Sequence, residues 1–350
     1  METKIKSFDE STEFEALFES AMKCKRGKMW KASVARFILH VIEECLMLAE
    51  EIKIGKYRPR KPHSFTLFYP KVRPCSSTHI RDRTVQRSLN DNLIYPKMTN
   101  SFVLDNWACQ KGKGTTGAMN RLDEQLHRFY INNGNSNKGW VLQVDVHGYY
   151  RNIRHADAKV CFSRHLDLVT VYHAMSWLQR QYPYPVGYEP GSQMVQILGI
   201  SLLDPLDHKI KERQRSRYYE RYMDDLILVS ANREHLERCL ETIKAELGKL
   251  GLEVHPTKTR IYPLQNGIKF LGFTFRLTST GRVIRIIDPN NVKHERKKLF
   301  RMAQLVRKGE MTKHKFYECY SSWKAHASLG NSYQLLQKMD EYAKDLMKGT

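Results

Sequence analysis

The stretch Arg221-Tyr222-Met223-Asp224-Asp225-Leu226-Ile227-Leu228-Val229-Ser230 constrains this chain more than any other. Tyr218-Tyr219 precede two adjacent carboxylates and an apolar run follows them. Both flanks are rich in aromatic and branched residues and predict strands. The short polar interruption predicts a hairpin with Asp224 and Asp225 at its tip. Neighbouring carboxylates repel each other, and a bound divalent cation relieves the repulsion; hard oxygen ligands of this kind suit Mg²⁺ or Mn²⁺. An Asp-Asp pair alone reads first as a solvated turn, where such pairs are common. The aromatic and apolar strands on either side turn the reading toward a metal site.

The chain has 350 residues, enough for two or three subdomains, and is 41% hydrophobic, as a globular protein requires. Lysine and arginine number 58 against 37 acids, a net charge of +21. An excess of this size implies a polyanionic partner: nucleic acid first, an anionic membrane surface second. No apolar run has the length of a membrane span, and the opening Met1-Glu2-Thr3-Lys4 has no signal-peptide pattern. The expectation is a cytoplasmic protein without membrane attachment. The seven cysteines are scattered and form no Cys-x-x-Cys pair. That argues against zinc and disulfides and suits a reducing compartment.

Residues 12–54 read as helices. The run Phe65 to Pro74 reads as a strand carrying Lys71 and Arg73, and Arg81 to Arg87 opens a helix. Trp107 to Thr115 is a glycine-rich basic loop without P-loop spacing; Lys111 and Lys113 would contact a nucleic-acid backbone there. Gly139 to Val144 is a buried strand closed by Asp145. An acid in that position is costly unless a hydrogen bond or a cation holds it. It either caps the next turn or supplies a third carboxylate to Asp224 and Asp225. A helix runs from about Gln193 through Ile210, with Pro205 kinking or restarting it. Asn232 can cap the helix after the acidic hairpin, and Leu252-Glu253-Val254 reads as a strand. From Val292 the tail is helical, with Lys293, Arg296, Lys297 and Arg301 opposite an apolar face. Such a helix suits a duplex backbone, and an anionic membrane would select a similar one.

Taken together, these boxes resemble bacterial reverse transcriptases over about residues 60–345. Tyr222 to Asp225 resembles their catalytic hairpin, Lys71, Arg73 and the Arg81 helix their fingers, and Ile268 to Phe275 the hairpin that holds the primer end. Gly191 and Gln196, Asp204 to His208, and Ser322 to Ser332 are similar to the enzymes of diversity-generating retroelements. Those enzymes carry a serine where this chain has Val195. The resemblance implies an α/β (α+β) right-hand polymerase. It would comprise a helical extension over 1–56, fingers over 57–138, a palm with an antiparallel sheet over 139–288 and a helical thumb over 289–350; part of the fingers is inserted at about 155–188.

The implied activity is RNA-directed DNA synthesis with two Mg²⁺ ions, for which Mn²⁺ could substitute. Asp145, Asp224, Asp225 and the backbone carbonyl of Val146 would hold them. One ion would lower the pKa of the attacking 3′-hydroxyl and the other would stabilise the pyrophosphate. Lys71 and Arg73 would bind the triphosphate, with Gln196 and Lys258 in the same nucleotide site. Tyr150 would stack under the sugar and clash with a 2′-hydroxyl. The implied partners are a dedicated non-coding template RNA, the cDNA, deoxynucleotides and an accessory protein. Nothing after the thumb resembles a nuclease, RNase H or zinc finger, so template removal would fall to other proteins. The expected role is anti-phage defence; the alternative is mutagenic cDNA synthesis in a diversity-generating retroelement. A reading of another class is a non-catalytic RNA-binding protein on a decayed polymerase fold, against which all three acids speak.

Overall fold

The computed structural model describes residues 5–68 and 72–348. Four helices open it: α1 (Phe8–Thr12), α2 (Phe14–Cys24), α3 (Ala32–Leu39) and α4 (Val41–Lys53). A capping box starts α1: the Ser7 hydroxyl accepts from the Glu10 amide while the Glu10 carboxylate accepts from the Ser7 amide. Strands β1 (His63–Leu67) and β2 (Arg73–Ser77) form an antiparallel hairpin, with His63 opposite Ser77 at one end and Leu67 opposite Arg73 at the other. The single strand expected over Phe65 to Pro74 is therefore two. Tyr69, Pro70 and Lys71, between the two strands, lie outside the described residues.

Helix α5 (Ile80–Leu89) passes through a π turn into α6 (Tyr95–Thr99), and α7 (Thr115–Asn132) follows. After β3 (Trp140–Asp145) come α8 (Tyr149–Asn152), α9 (His155–Ser163), α10 (Leu168–Gln181) and α11 (Gln193–Leu202). The chain restarts as α12 (Asp204–His208), with Pro205 in the first turn, where its missing amide costs nothing. The acidic hairpin is β4 (Tyr218–Tyr222) and β5 (Asp225–Ser230). The side chain of Asn232 caps α13 (Arg233–Lys249) by accepting from the His235 amide. The chain ends with β6 (Arg260–Pro263), β7 (Ile268–Phe270), β8 (Phe273–Leu277), β9 (Val283–Ile287), α14 (Pro289–Arg307), α15 (Lys313–Ala327) and α16 (Tyr333–Met347).

The central sheet has the order β4-β5-β3-β6, all antiparallel, and a second sheet has the order β7-β8-β9. Strict alternation along β3 and β5 sorts side chains between two cores. Leu142, Val144, Leu226 and Leu228 face a core built from α11, α9, α5 and the N-terminal helices. Val141, Ile227 and Val229 face another, formed by α7, the second sheet and α14 to α16. The sheet is thus covered on both faces, and Asp145 and Asp225 stand together at one of its ends. The strand expected over Leu252-Glu253-Val254 is a single bridge, Val146 to Val254. A turn through Gly251, at φ +65°, precedes this segment and Pro256, which has no amide to donate, follows it. Among the described residues no helix is long and apolar enough to cross a membrane.

Candidate active site

Sheet register brings the acids together. Asp145, the last residue of β3, is the direct cross-strand partner of Asp225, the first residue of β5. Directly opposed residues of an antiparallel pair share a face with Cβ atoms about 5 Å apart, and like charges placed so destabilise the sheet. Asp224 sits beside them in the two-residue turn that links β4 and β5, since Tyr222 pairs with Asp225. All three are half-buried.

The turn is held from behind. Met223 takes φ +59°, which a side chain tolerates poorly. Its carbonyl accepts from Arg221 Nη1 at 2.9 Å. Arg221 is completely buried, and its Nε and Nη2 meet the two oxygens of Asp207 on α12 at 2.7 and 2.5 Å. Nη2 also donates to the Ile200 carbonyl on α11, and the Tyr219 hydroxyl donates to Asp207. A charged network across two helices therefore sets the position of the acidic tip. From the other side, the loop before α7 pairs with β4: the Trp107 amide donates to the Arg221 carbonyl and the Arg221 amide to the Asp105 carbonyl. Cys109 Sγ lies 3.9 Å from Met223 Sδ.

Lys258 Nζ lies 2.9 and 3.0 Å from the two oxygens of Asp145. Among the described residues no three His, Cys, Asp or Glu side chains are gathered around one point as metal ligands. Asp145 is instead closed on the Lys258 ammonium. The donor set of three carboxylates on adjoining strand ends, one already neutralised by a positive charge, fits a hard divalent cation. Val146 is buried, and its bridge to Val254 uses the Asp145 carbonyl and the His147 amide rather than the Val146 carbonyl.

Tyr150 stands on α8, and its ring lies against Gly199 of α11, where a Cβ would come within 2.5 Å of the tyrosine hydroxyl. Burial first, then the nearby Cys109 and Asp224, push its phenol well above the ordinary range. Its hydroxyl is buried without a hydrogen-bond partner among the described residues. Gln196 is half-buried on the same helix. Gly191 packs on Ser76 of β2, where any Cβ would overlap the carbonyl oxygen. Arg73 begins β2 and Lys71 lies outside the described residues.

The two loop lysines differ. Lys111 is exposed above the Tyr95 ring. Lys113 turns inward, donating to the Leu104 and Asn106 carbonyls at 2.8 and 2.7 Å. Its ammonium is occupied in holding the loop. Lys293, Arg296, Lys297 and Arg301 all lie exposed on α14, opposite the buried Leu299, Met302 and Ala303. Sequence reasoning missed Arg221, Asp207, Gly199 and Cys109. Only Arg221, a charged residue inside a strand pattern, carried a signal of its own.

A family model described as reverse transcriptase (RNA-dependent DNA polymerase) matches residues 60–275, well over half of the chain. The Gag-Pro-Pol polyprotein of Mason-Pfizer monkey virus is 30% identical over 81 residues, 22% of this chain and 4% of the polyprotein. Telomerase from Candida albicans in complex with a TWJ fragment of telomeric RNA superposes with a TM-score of 0.50 at 12% identity, over 72% of this chain and 52% of that one. Apo telomerase from Candida tropicalis, truncated from its C-terminal domain, gives 0.47 at 12% identity, over 70% and 60%. The chain thus spans a small part of the viral polyprotein and about half of the Candida albicans telomerase chain, and at 12% identity that likeness concerns the fold alone. The family match runs through Asp145 and the whole acidic hairpin, and the chain belongs to the reverse transcriptase (RNA-dependent DNA polymerase) family.

Proposed function

We propose that this chain synthesises DNA on an RNA template, with Asp145, Asp224 and Asp225 as its catalytic acids. The observation that carries the reading is the register that sets Asp145 directly opposite Asp225 with Asp224 in the adjoining turn. When bound there, Mg²⁺ supplies Lewis-acid activation of a 3′-hydroxyl and neutralises a pyrophosphate leaving group. The protein's own part is placement. Arg221 fixes the turn, Asp145 with Asp224 and Asp225 would hold the cation, and Lys258, now paired with Asp145, would supply positive charge to the triphosphate. Phosphoryl transfer asks for little beyond such positioning and charge neutralisation. Lys71, Arg73 and Gln196 complete the nucleotide site in this reading. Tyr150, its ring fixed against Gly199 and influenced by Asp224, is the sugar gate. The exposed cations of α14 and Lys111 contact the nucleic-acid backbone.

In the same reading 1–56 is an extension, 57–138 the fingers with a further part at about 155–188, 139–288 the palm and 289–350 the thumb. Incubation with poly(rA)·oligo(dT), dTTP and Mg²⁺ tests the activity: extension supports it, and its absence under all divalent cations rejects it.

For the role, we favour copying of a dedicated structured RNA in bacterial anti-phage defence. Val195 supports this over diversity generation, because it is wholly buried in α11 at the position where that group carries a serine. Sequencing the RNA and DNA that co-purify from cells, with and without phage, decides it. A discrete RNA with a faithful complementary DNA supports defence, and substitutions at template adenines support diversity generation.

A further inference from the structure

The N-terminal helices meet the β1–β2 hairpin and the start of α5 in a cleft of about 590 Å³. Its cations come from four separate stretches: Lys28 and Lys31 between α2 and α3, Arg36 on α3, Arg60 before β1, and Arg81 and Arg83 on α5. Glu44 is the one acid among the described residues that line it, and it is matched by Arg81, which also pairs with Glu51. Lys28, Lys31, Arg36 and Arg83 have no carboxylate partner among the described residues, while the Arg60 amide donates to the buried Asp82 at 3.1 Å. Arg83 is fixed in place, its Nη2 donating to Ser77 Oγ and the Thr78 carbonyl, both at 3.2 Å. The crowding is felt: burial, then the charge of Arg83, push the Lys28 ammonium below its ordinary range.

Four unmatched cations around one concavity repel one another, and a bound anion would relieve that repulsion. A concave wall excludes a bilayer surface. Phosphate is the anion that such a dense set of lysine and arginine recognises. Beside the cleft Trp30 is 79% exposed, with Lys31 Nζ 5.1 Å from its ring centroid. An exposed indole next to a basic groove is the pairing that single strands use, with cations for the backbone and a ring for a base. The cleft touches the His63–Ser77 end of the hairpin, while Arg73 stands at the other end, four residue steps or about 13 Å away. It shares no residue with the catalytic acids or the proposed triphosphate site.

We propose that this cleft binds the sugar–phosphate backbone of a single-stranded RNA segment, with Trp30 stacking on a base. The inference rests on the reading that the chain works on RNA.

The test is the salt dependence of binding a fluorescein-labelled single-stranded RNA 20-mer to the whole chain, followed by anisotropy between 50 and 200 mM KCl. The triple variant Lys31→Gln/Arg36→Gln/Arg60→Gln alters only exposed side chains. Three lost phosphate contacts reduce the slope of log K against log salt by about 2, so wild-type affinity falls about 16-fold more than the variant's across that range. Trp30→Ala weakens binding about fivefold or more and leaves the slope unchanged. Equal slopes for wild type and the folded triple variant overturn the proposal. So does calorimetric binding of inorganic tripolyphosphate that the triple variant loses while its RNA slope stays that of wild type, which assigns the cleft to a free polyphosphate. Extension on poly(rA)·oligo(dT) is measured in parallel. Its absence in wild type rejects the polymerase reading, and the slopes still decide the cleft.

Discussion

Replacing Arg221 with methionine keeps the bulk of a buried stem and removes every donor behind the acidic turn. The guanidinium makes four hydrogen bonds, two to Asp207 and one each to the carbonyls of Ile200 and Met223. In the variant Asp207, itself fully buried, keeps the Tyr219 hydroxyl but loses its counter-charge. Stranding one member of a buried ion pair costs about 3–5 kcal/mol. Against a total stability of about 5–15 kcal/mol the loss is severe, and the melting temperature should fall by roughly 10 °C. The catalytic consequence is separate. Met223 holds φ +59°, a conformation that costs about 1–3 kcal/mol and persists only when its surroundings enforce it. Without the bond to its carbonyl the turn relaxes, and a displacement of about 1 Å at reacting groups costs on the order of 10²-fold in rate. Single-turnover incorporation is measured at a temperature where circular dichroism shows the variant folded. The double variant Arg221→Met/Asp207→Leu removes both charges and should recover most of the stability, yet incorporation should stay about 10²-fold down. Wild-type incorporation by folded Arg221→Met refutes the positioning argument. An unchanged melting temperature refutes the energetic one.

Glu220, on the opposite face of β4, is wholly buried with both carboxylate oxygens unpartnered among the described residues, and burial, then Asp105, hold its pKa well above the ordinary value. The folded state therefore keeps a proton that the unfolded chain releases. Stability should fall as pH rises above the unfolded pKa, by about 1.4 kcal/mol per unit until the folded pKa is reached; Glu220→Gln should remove that slope in denaturant titrations, and an unchanged slope rejects the argument. Tyr150→Ala should raise ribonucleotide incorporation relative to deoxynucleotide. Gly199→Ala should shift discrimination in the same direction, because its Cβ would sit 2.5 Å from the Tyr150 hydroxyl and must push the ring nearly 1 Å to reach ordinary contact. Unchanged discrimination in both active variants would make the tyrosine a core residue only.

What could be read from the sequence was local. The β4–β5 hairpin, the strand closed by Asp145 and the Asn232 cap each depend on residues a few positions apart, whose period or side-chain chemistry announces them. What escaped depends on distant contacts. Lys258 reaches Asp145 across 113 positions, and nothing near either residue foretells the pairing. Arg221 looked like the flank of an acidic box; its complete burial runs against the usual placement of arginine and is permitted only by Asp207, which arrives from another helix. Lys113 looked available to phosphate because a basic glycine-rich loop favours that reading, yet two backbone carbonyls claim its ammonium. The single strand expected over Phe65 to Pro74 is a hairpin and the one over Leu252 to Val254 a single bridge, because pairing partners are not announced by a favourable composition. Gly199 was hidden in an apolar helix, and only the ring lying on it shows why a side chain cannot stand there.

The most direct measurement is Mg²⁺-dependent extension of a DNA primer on an RNA template by Asp224→Asn/Asp225→Asn, with RNA affinity measured on the same preparation. The exposed cations of α14 and of the N-terminal cleft are untouched by these changes. Incorporation should be abolished while RNA binding remains within about twofold of wild type, as expected when phosphate contacts carry the affinity. Normal extension by this variant would contradict the assignment of the acids.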